Sequence, residues 1–171
     1  MRTLSILLVV LVAAGLAILE SVIPHLFHLR AARPDLLLIV VLYLALHDDV
    51  VQGAALSAAT GYLSDLASAT PAFLYTFLAV LTFVVVRTAG AALRTEGGIQ
   101  SALVAFGATL GHSLVATLIF GFFTGSGLHF EAAPLLWSAF GTAIAAPFVF
   151  AVLRRLDAGF QHADEAPGGL L

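Results

Sequence analysis

The side chains that could do chemistry in this chain are a few ionisable groups set in long apolar stretches. Glu20, Asp35 and Asp65 each lie within about one helical turn of the end of such a stretch. Charged groups at that depth usually face the interior of a helix bundle and pair there. We expect Arg33 to pair with Asp35 or Asp65 and to fix the ends of two helices. The alternative is that these carboxylates contact a ligand or a partner protein.

His112 differs from these carboxylates because it stands near the middle of its apolar stretch, which corresponds to the midplane of a membrane. A neutral imidazole at that depth would hydrogen-bond to a hydroxyl or backbone group of a neighbouring helix. The alternative role is a proton relay or a contact with a substrate. We expect an intramembrane polar contact, and its partner stays open.

The patterns that mark known catalytic centres do not occur in the sequence. A serine nucleophile would be expected in a Gly-x-Ser-x-Gly turn, and a zinc peptidase in a His-Glu-x-x-His motif. Aspartyl proteolysis would need a second deep carboxylate facing the first. The chain has no cysteine, which excludes thiolate nucleophiles and thiolate metal sites. We therefore expect a protein that is not an enzyme and that has neither a cofactor nor a metal.

Small residues recur at every fourth position in two stretches, which places them on one face of a helix. Small side chains let another helix approach closely, so these faces are predicted to pack helices together. They would serve as internal seams of the bundle, or one of them would dock another membrane protein. The first series is Gly53, Ser57 and Gly61, which Asp65 continues. The second is Ser101, Ala105, Thr109, Ser113, Thr117, Gly121 and Gly125, and it lies beside the pair Gly107-x-x-x-Gly111.

The composition indicates that these groups belong to a membrane protein. Of 171 residues, 61% are hydrophobic and 10% are charged, and the mean hydropathy is +1.07. Soluble domains are about 45–50% apolar and about 25% charged. So few charges could not cover a soluble surface, which excludes a soluble catalytic domain. The net charge is −3 and every basic residue is an arginine, so there is no polybasic patch for nucleic acid. Membrane lipid is the expected surrounding.

Six apolar stretches, separated by Pro, Gly and charged residues, predict an all-α integral membrane protein. We expect a six-helix transmembrane bundle in one domain over residues 1–157. The second and third spans are shorter than the ~20 residues of a full crossing, so a fold in which that pair does not cross stays open. The first span is expected to be a retained helix rather than a cleaved signal. Residues 158–171 are predicted to be a short disordered tail. The predicted spans are 3–23, 34–47, 50–68, 72–93, 99–123 and 135–153.

The arginines predict the orientation of the bundle, because loops on the cytoplasmic side carry the excess of basic residues. With the N-terminus inside, five of the seven arginines lie at the cytoplasmic face and two outside. We therefore expect a multi-pass protein with both termini in the cytoplasm. The five are Arg2, Arg87, Arg94, Arg154 and Arg155, and the two are Arg30 and Arg33.

Two motifs give the sequence a resemblance to a known family. Arg33-Pro34-Asp35 opens the second span, and Gly61-x-x-x-Asp65 near the end of the third is followed by Pro71. This pattern resembles the rod shape-determining protein MreD family, which also matches in length and in span count. The family often has a glycine two positions after that proline, where this chain has Phe73. The resemblance implies that Arg33, Pro34, Asp35, Gly61, Asp65 and Pro71 form a structural or partner-binding motif.

The resemblance further implies a non-enzymatic scaffold in the inner membrane of a rod-shaped bacterium, within the cell-elongation machinery. Members are thought to bind MreC and, through that complex, to help couple MreB filaments to the peptidoglycan synthase RodA and the class B penicillin-binding protein. The family is also similar in fold to the S components of energy-coupling-factor transporters. That similarity supplies the alternative function, a substrate-binding subunit for the uptake of a small molecule such as a vitamin.

Overall fold

The computed structural model of the protein describes residues 10–20, 22, 34–67, 73–90, 97–124 and 132–165, with side chains as far as Asp157. Every secondary-structure element in these ranges is a helix, as predicted. The helices are α1 (Val10–Glu20), α2 (Leu36–His47), α3 (Val50–Ala67), α4 (Leu74–Ala89), α5 (Gly98–Thr124) and α6 (Ala132–Glu165).

Helix α2 is the centre of the bundle. Its residues from Leu36 to Ala45 are all buried, and it packs against α3, α4, α5 and α6. A helix that is apolar on every side belongs in a core. With 12 residues it is only about 18 Å long, less than the ~30 Å of a bilayer's hydrocarbon. Of the polar residues that flank α2, Asp48 is buried and Asp35 is partly buried.

The other helices surround α2 in two closely packed pairs. Helix α3 packs along α4, and α5 packs along α6, whereas the contact between α4 and α5 is slight. In α1, Ala13 is buried, and Val12 and Leu16 pack against the central core. The weak contact between α4 and α5 leaves a groove on the surface of the bundle.

Two helices are long and apolar enough to cross a membrane, over Gly98–Phe122 and Ala132–Asp157. The apolar helices α1, α2 and α4 are shorter than that over their described residues. The observed bounds of α2 to α5 lie close to the predicted spans. Helix α6 is longer than predicted, because Pro134 fits in its first turn, where a backbone N–H is not needed. It also continues to Glu165, into the segment predicted to be a disordered tail.

Candidate functional site

The Asp65 carboxylate, near the end of α3, caps the start of α4. The backbone N–H of Tyr75 donates to Oδ1 at 2.9 Å, and that of Thr76 donates to Oδ2 at 2.9 Å. The Thr76 hydroxyl also donates to Oδ2, at 2.6 Å. The first N–H groups of a helix lack partners within the helix and carry its positive dipole end. Asp65 therefore acts as a helix cap supplied by a different helix.

Gly61 lies one turn before Asp65 and allows this capping contact. A Cβ added at Gly61 would lie 2.6 Å from the Tyr75 carbonyl oxygen and 2.7 Å from the Thr76 Cα. Both atoms belong to the backbone of α4, so they cannot rotate away as a side chain could. Gly61 brings the two helices together and Asp65 bonds across the contact, which gives the Gly-x-x-x-Asp motif a joint structural role.

Phe73 precedes α4 with its backbone in the left-handed region, at φ 67°. Residues with a Cβ are strained there, and glycine is not. This is the position at which the resembling family often has glycine, so the structure gives that glycine a conformational reason. The Phe73 ring is 64% exposed and stacks on Tyr62 with ring centroids 6.4 Å apart.

Pro34 and Asp35 open α2 and attach it to α6. The Asp35 Oδ1 accepts a hydrogen bond from the Leu38 N–H at 2.8 Å, which makes Asp35 the N-cap. Its own N–H donates to the Thr142 hydroxyl at 2.9 Å. A Cβ added at Gly141 would lie 3.6 Å from the Pro34 Cβ. Arg33 and Pro71 lie outside the described residues, so the ion pair expected of Arg33 stays a prediction.

The small residues predicted to pack helices fall into two groups. A Cβ added at Gly53 would lie 2.6 Å from the Phe83 ring, and Ser57 is fully buried, so both lie at close internal contacts. A Cβ added at Gly107 or Gly111 would meet no atom of the described residues within 4 Å. Among the described residues these two glycines therefore make no close contact with another helix, and their role in helix packing stays a prediction.

Gly107 and Gly111 line the groove between α4 and α5, which has a volume of about 480 Å³. His112 lies in the same groove, with its Nδ1 3.4 Å from the Thr82 hydroxyl and its ring stacked on Tyr75. The buried Nε2 has no hydrogen-bond partner among the described residues. The groove thus combines an open glycine face with one imidazole nitrogen that can still hydrogen-bond.

The opposite end of the bundle, where α2 ends and α3 begins, carries a polar cluster that the sequence analysis did not select. We call it the Asp48 end and define it by Tyr43, His47, Asp48, Arg87 and Asp157. The Tyr43 hydroxyl donates to the Asp157 carboxylate, and the His47 ring stacks on the Tyr43 ring at a centroid distance of 4.4 Å. The sequence signal for this end is the triplet His47-Asp48-Asp49, a short polar run between two apolar helices.

Arg87 of α4 caps the C-terminus of α2 at this end. Its Nη1 donates to the carbonyl oxygens of Ala45, at 3.2 Å, and Asp48, at 2.6 Å. Carbonyls at the end of a helix lack internal donors and attract a positive charge. The hydrogen bonds described for Arg87 therefore go to backbone carbonyls and not to the side-chain carboxylate of Asp48.

The Asp48 side chain is buried with only part of its bonding capacity used. The residue is 7% exposed, and its Oδ2 lacks a hydrogen-bond partner within the described residues. Burial, with the negative charges of Asp157 and Asp49, raises the pKa of the Asp48 carboxyl from 3.8 to about 6. Near neutral pH this carboxyl is therefore mostly ionised, although its surroundings disfavour the charge.

Comparison with known proteins gives one match. A family model described as rod shape-determining protein MreD matches residues 1–156. No curated protein and no solved structure matches the chain. The fold similarity to transporter S components expected from the resemblance therefore stays a prediction.

Proposed function

The chain belongs to the family of the rod shape-determining protein MreD, and we propose that it serves rod shape as a non-enzymatic scaffold of the inner membrane. In this proposal it binds MreC and helps couple MreB filaments to peptidoglycan synthesis by RodA and the class B penicillin-binding protein. The match over residues 1–156 is the observation that carries the proposal, because it includes all six described helices as far as Leu156.

The groove between α4 and α5 supports a scaffold role, and we propose that it receives the membrane-spanning helix of MreC. A helix backbone can approach closely where glycines leave space, and in lipid such close packing replaces the hydrophobic drive. Gly107 and Gly111 leave that space. The buried Nε2 of His112 could hydrogen-bond to a hydroxyl or amide group of the incoming helix.

We further propose that the Asp48 end faces the cytoplasm and that all six helices cross the membrane. Arg87 lies at this end. Arg154 lies there too, because it stands three residues before Asp157 on α6. Basic residues concentrate on the cytoplasmic side, which supports this orientation. Fusing a reporter that fluoresces only in the cytoplasm to the C-terminus tests it, and a dark fusion would reverse the assignment.

The absence of cysteine from the sequence makes disulfide crosslinking a clean test of the groove. Leu103 lines the groove and is 66% exposed. We expect Leu103→Cys, expressed with single cysteines along the spanning helix of MreC, to form a disulfide at positions repeating every three or four residues. Phe148→Cys is the matched control, since Phe148 is 71% exposed on α6 and does not line that groove.

Equal crosslinking of the two variants would overturn the groove assignment. The wider scaffold role is tested by co-purification from membranes of the native host and by complementation of a deletion strain. Recovery of MreC and restored rod shape are the expected results. Recovery of ATPases of the ABC type or a tightly bound vitamin would support the transporter subunit instead.

A further inference from the structure

The Asp48 end holds more acceptors than donors. Asp48 is more than nine-tenths buried, and its Oδ2 has no partner, as judged over the part of the chain that the structure describes. The Oε1 of Gln52, one turn along, is a second buried acceptor in the same condition. Buried acceptors normally have a hydrogen-bond donor, so these oxygens indicate that a donor arrives from outside the described residues.

The cations at this end do not supply that donor. Arg87 directs its Nη1 to two backbone carbonyls. Arg154 directs its Nε to the Phe150 carbonyl. The negative charges of Asp157, on α6, and of Asp49, just before α3, act on Asp48 more strongly than the positive charges of the N-terminus and Arg87, so the local charge also favours a positive group.

A metal ion fits the arrangement poorly. Among the described residues, no three histidine, aspartate or glutamate side chains are placed to hold one. A guanidinium or ammonium group needs no such coordination shell, since it donates several hydrogen bonds in fixed or rotating directions. The chemistry of this end therefore matches a basic side chain better than an ion.

We propose that Asp48, with Asp49 and Asp157, forms a docking site for a basic side chain of a partner protein beside the membrane. This inference rests on the proposed scaffold role and orientation. Segments that flank membrane spans on the cytoplasmic side are rich in Lys and Arg, so such a segment would meet this end. Asp49 is exposed and Asp157 is partly buried, which gives the incoming side chain a surface approach to Asp48.

The experiment uses the full chain in nanodiscs of phosphatidylcholine, which has no net charge. The probe is a short fluorescein-labelled peptide of alternating arginine and serine, and binding is followed by fluorescence anisotropy. We expect Asp48→Asn to weaken binding about tenfold, as for the loss of one charge-assisted hydrogen bond. Asp49→Asn, on the exposed rim, should weaken it about threefold, as expected for an exposed ion pair.

Glu131→Gln is the matched control. It removes the same charge at a position 26 residues before Asp157 in the sequence, and should leave binding unchanged. Equal weakening by Glu131→Gln and Asp48→Asn would mean diffuse attraction and would overturn the site. The docking site would also be overturned if Asp48→Asn bound the peptide as tightly as the wild type, or if the wild type did not bind the peptide.

Two further outcomes separate competing explanations. If replacing Arg2 and Arg94 with Gln strengthens peptide binding, the chain's own arginines occupy the site and the partner assignment is wrong. Because peptide binding is measured on the isolated chain, its failure leaves the disulfide test of the groove unaffected. Failure of that groove test, in turn, does not change the peptide result.

Discussion

Asp65 and Asp48 are aspartates at opposite ends of α3, and their surroundings differ. Asp65 accepts three hydrogen bonds from the first turn of α4, so its charge is balanced by backbone donors and a helix dipole. Asp48 is more deeply buried than an ordinary aspartate, and its Oδ2 lacks a donor in the described structure. One carboxylate has its bonds within the chain, and the other still has bonds to make.

This difference shows that the position of an aspartate relative to the end of an apolar stretch is a poor guide to its role. Both residues lie beside apolar stretches, and sequence spacing selected only Asp65. Donors decide the matter: the N-terminus of α4 faces Asp65, whereas Arg87 at the other end bonds to carbonyls instead. A buried acid whose bonds are complete is structural, and one with bonds to spare is the better candidate for recognition.

The largest effect should come from Asp65→Ala. Removing this carboxylate leaves the N–H groups of Tyr75 and Thr76 without their acceptor and removes a charge that favours the helix end. We expect the free energy of unfolding to fall by about 4 kcal/mol, from three bonds to a charged group that are not fully additive. The measurement is unfolding in detergent micelles followed by tryptophan fluorescence or circular dichroism.

Asp35→Ala is the comparison for this variant, since it removes a cap that receives one bond from its own helix. We expect it to lower stability by about 1 kcal/mol. If the two variants were equally destabilised, the capping of α4 by Asp65 would not be the main contribution of that carboxylate.

Gly61→Ala should have the next largest effect. The added methyl group would be forced against the Tyr75 carbonyl oxygen and the Thr76 Cα, so α3 and α4 must separate. Overpacking of this kind reduces stability by about 3 kcal/mol at the upper end of the usual range. Gly107→Ala is matched in chemistry but enters open space, and should leave stability unchanged or slightly raised. Thermal unfolding midpoints of both variants provide the test.

Much of the fold could be predicted because apolar stretches and the Pro, Gly and charged residues between them are local signals of helix bounds. Helix α2 begins next to Pro34 and Asp35 and ends at the polar turn, since a proline at a helix start and a capping aspartate are local signals. The close approach at Gly61 was also suggested by spacing. The actual partner of Asp65 could not be predicted, because it depends on where the first turn of α4 lies in space.

The Asp48 end was missed for the same physical reason. Tyr43 and Asp157 are far apart in the chain, and only the packing of α2 against α6 brings the phenol to the carboxylate. Likewise, Gly107 and Gly111 have the spacing of a packing seam, but spacing does not say which way a helix face is turned. Periodicity predicts faces, and tertiary packing decides their partners.

Asp48→Asn should have a smaller effect and the opposite sign. The pKa of Asp48 is about 6 in the folded chain against 3.8 ordinarily, so the folded state binds more protons between these values. Wild-type stability should therefore rise as pH falls from 7 to 4. Asp48→Asn should be more stable than wild type at pH 7 by at most about 3 kcal/mol, and this advantage should vanish near pH 4.

The difference between the two chains is measured across this pH range, so that other acids contribute equally to both. A constant difference from pH 7 to pH 4 would contradict the prediction. A destabilised Asp48→Asn would show instead that the charge is satisfied within the chain, and the contrast with Asp65 would be lost.

Phe73→Gly should give the smallest effect and would sharpen the picture of the Asp65 end. The left-handed backbone at Phe73 is strained for a residue with a Cβ, and relieving it contributes about 1 kcal/mol. The loss of the stack on Tyr62 opposes this gain, but that ring is 64% exposed and its packing is correspondingly weak. We therefore expect a small rise in the unfolding midpoint.

Phe77→Gly is the control, because Phe77 is similarly exposed but lies within α4, where glycine lowers stability by about 1 kcal/mol. If both variants were destabilised alike, Phe73 would contribute packing that outweighs its strain, and the turn into α4 would depend on the aromatic ring rather than on the Asp65 cap alone.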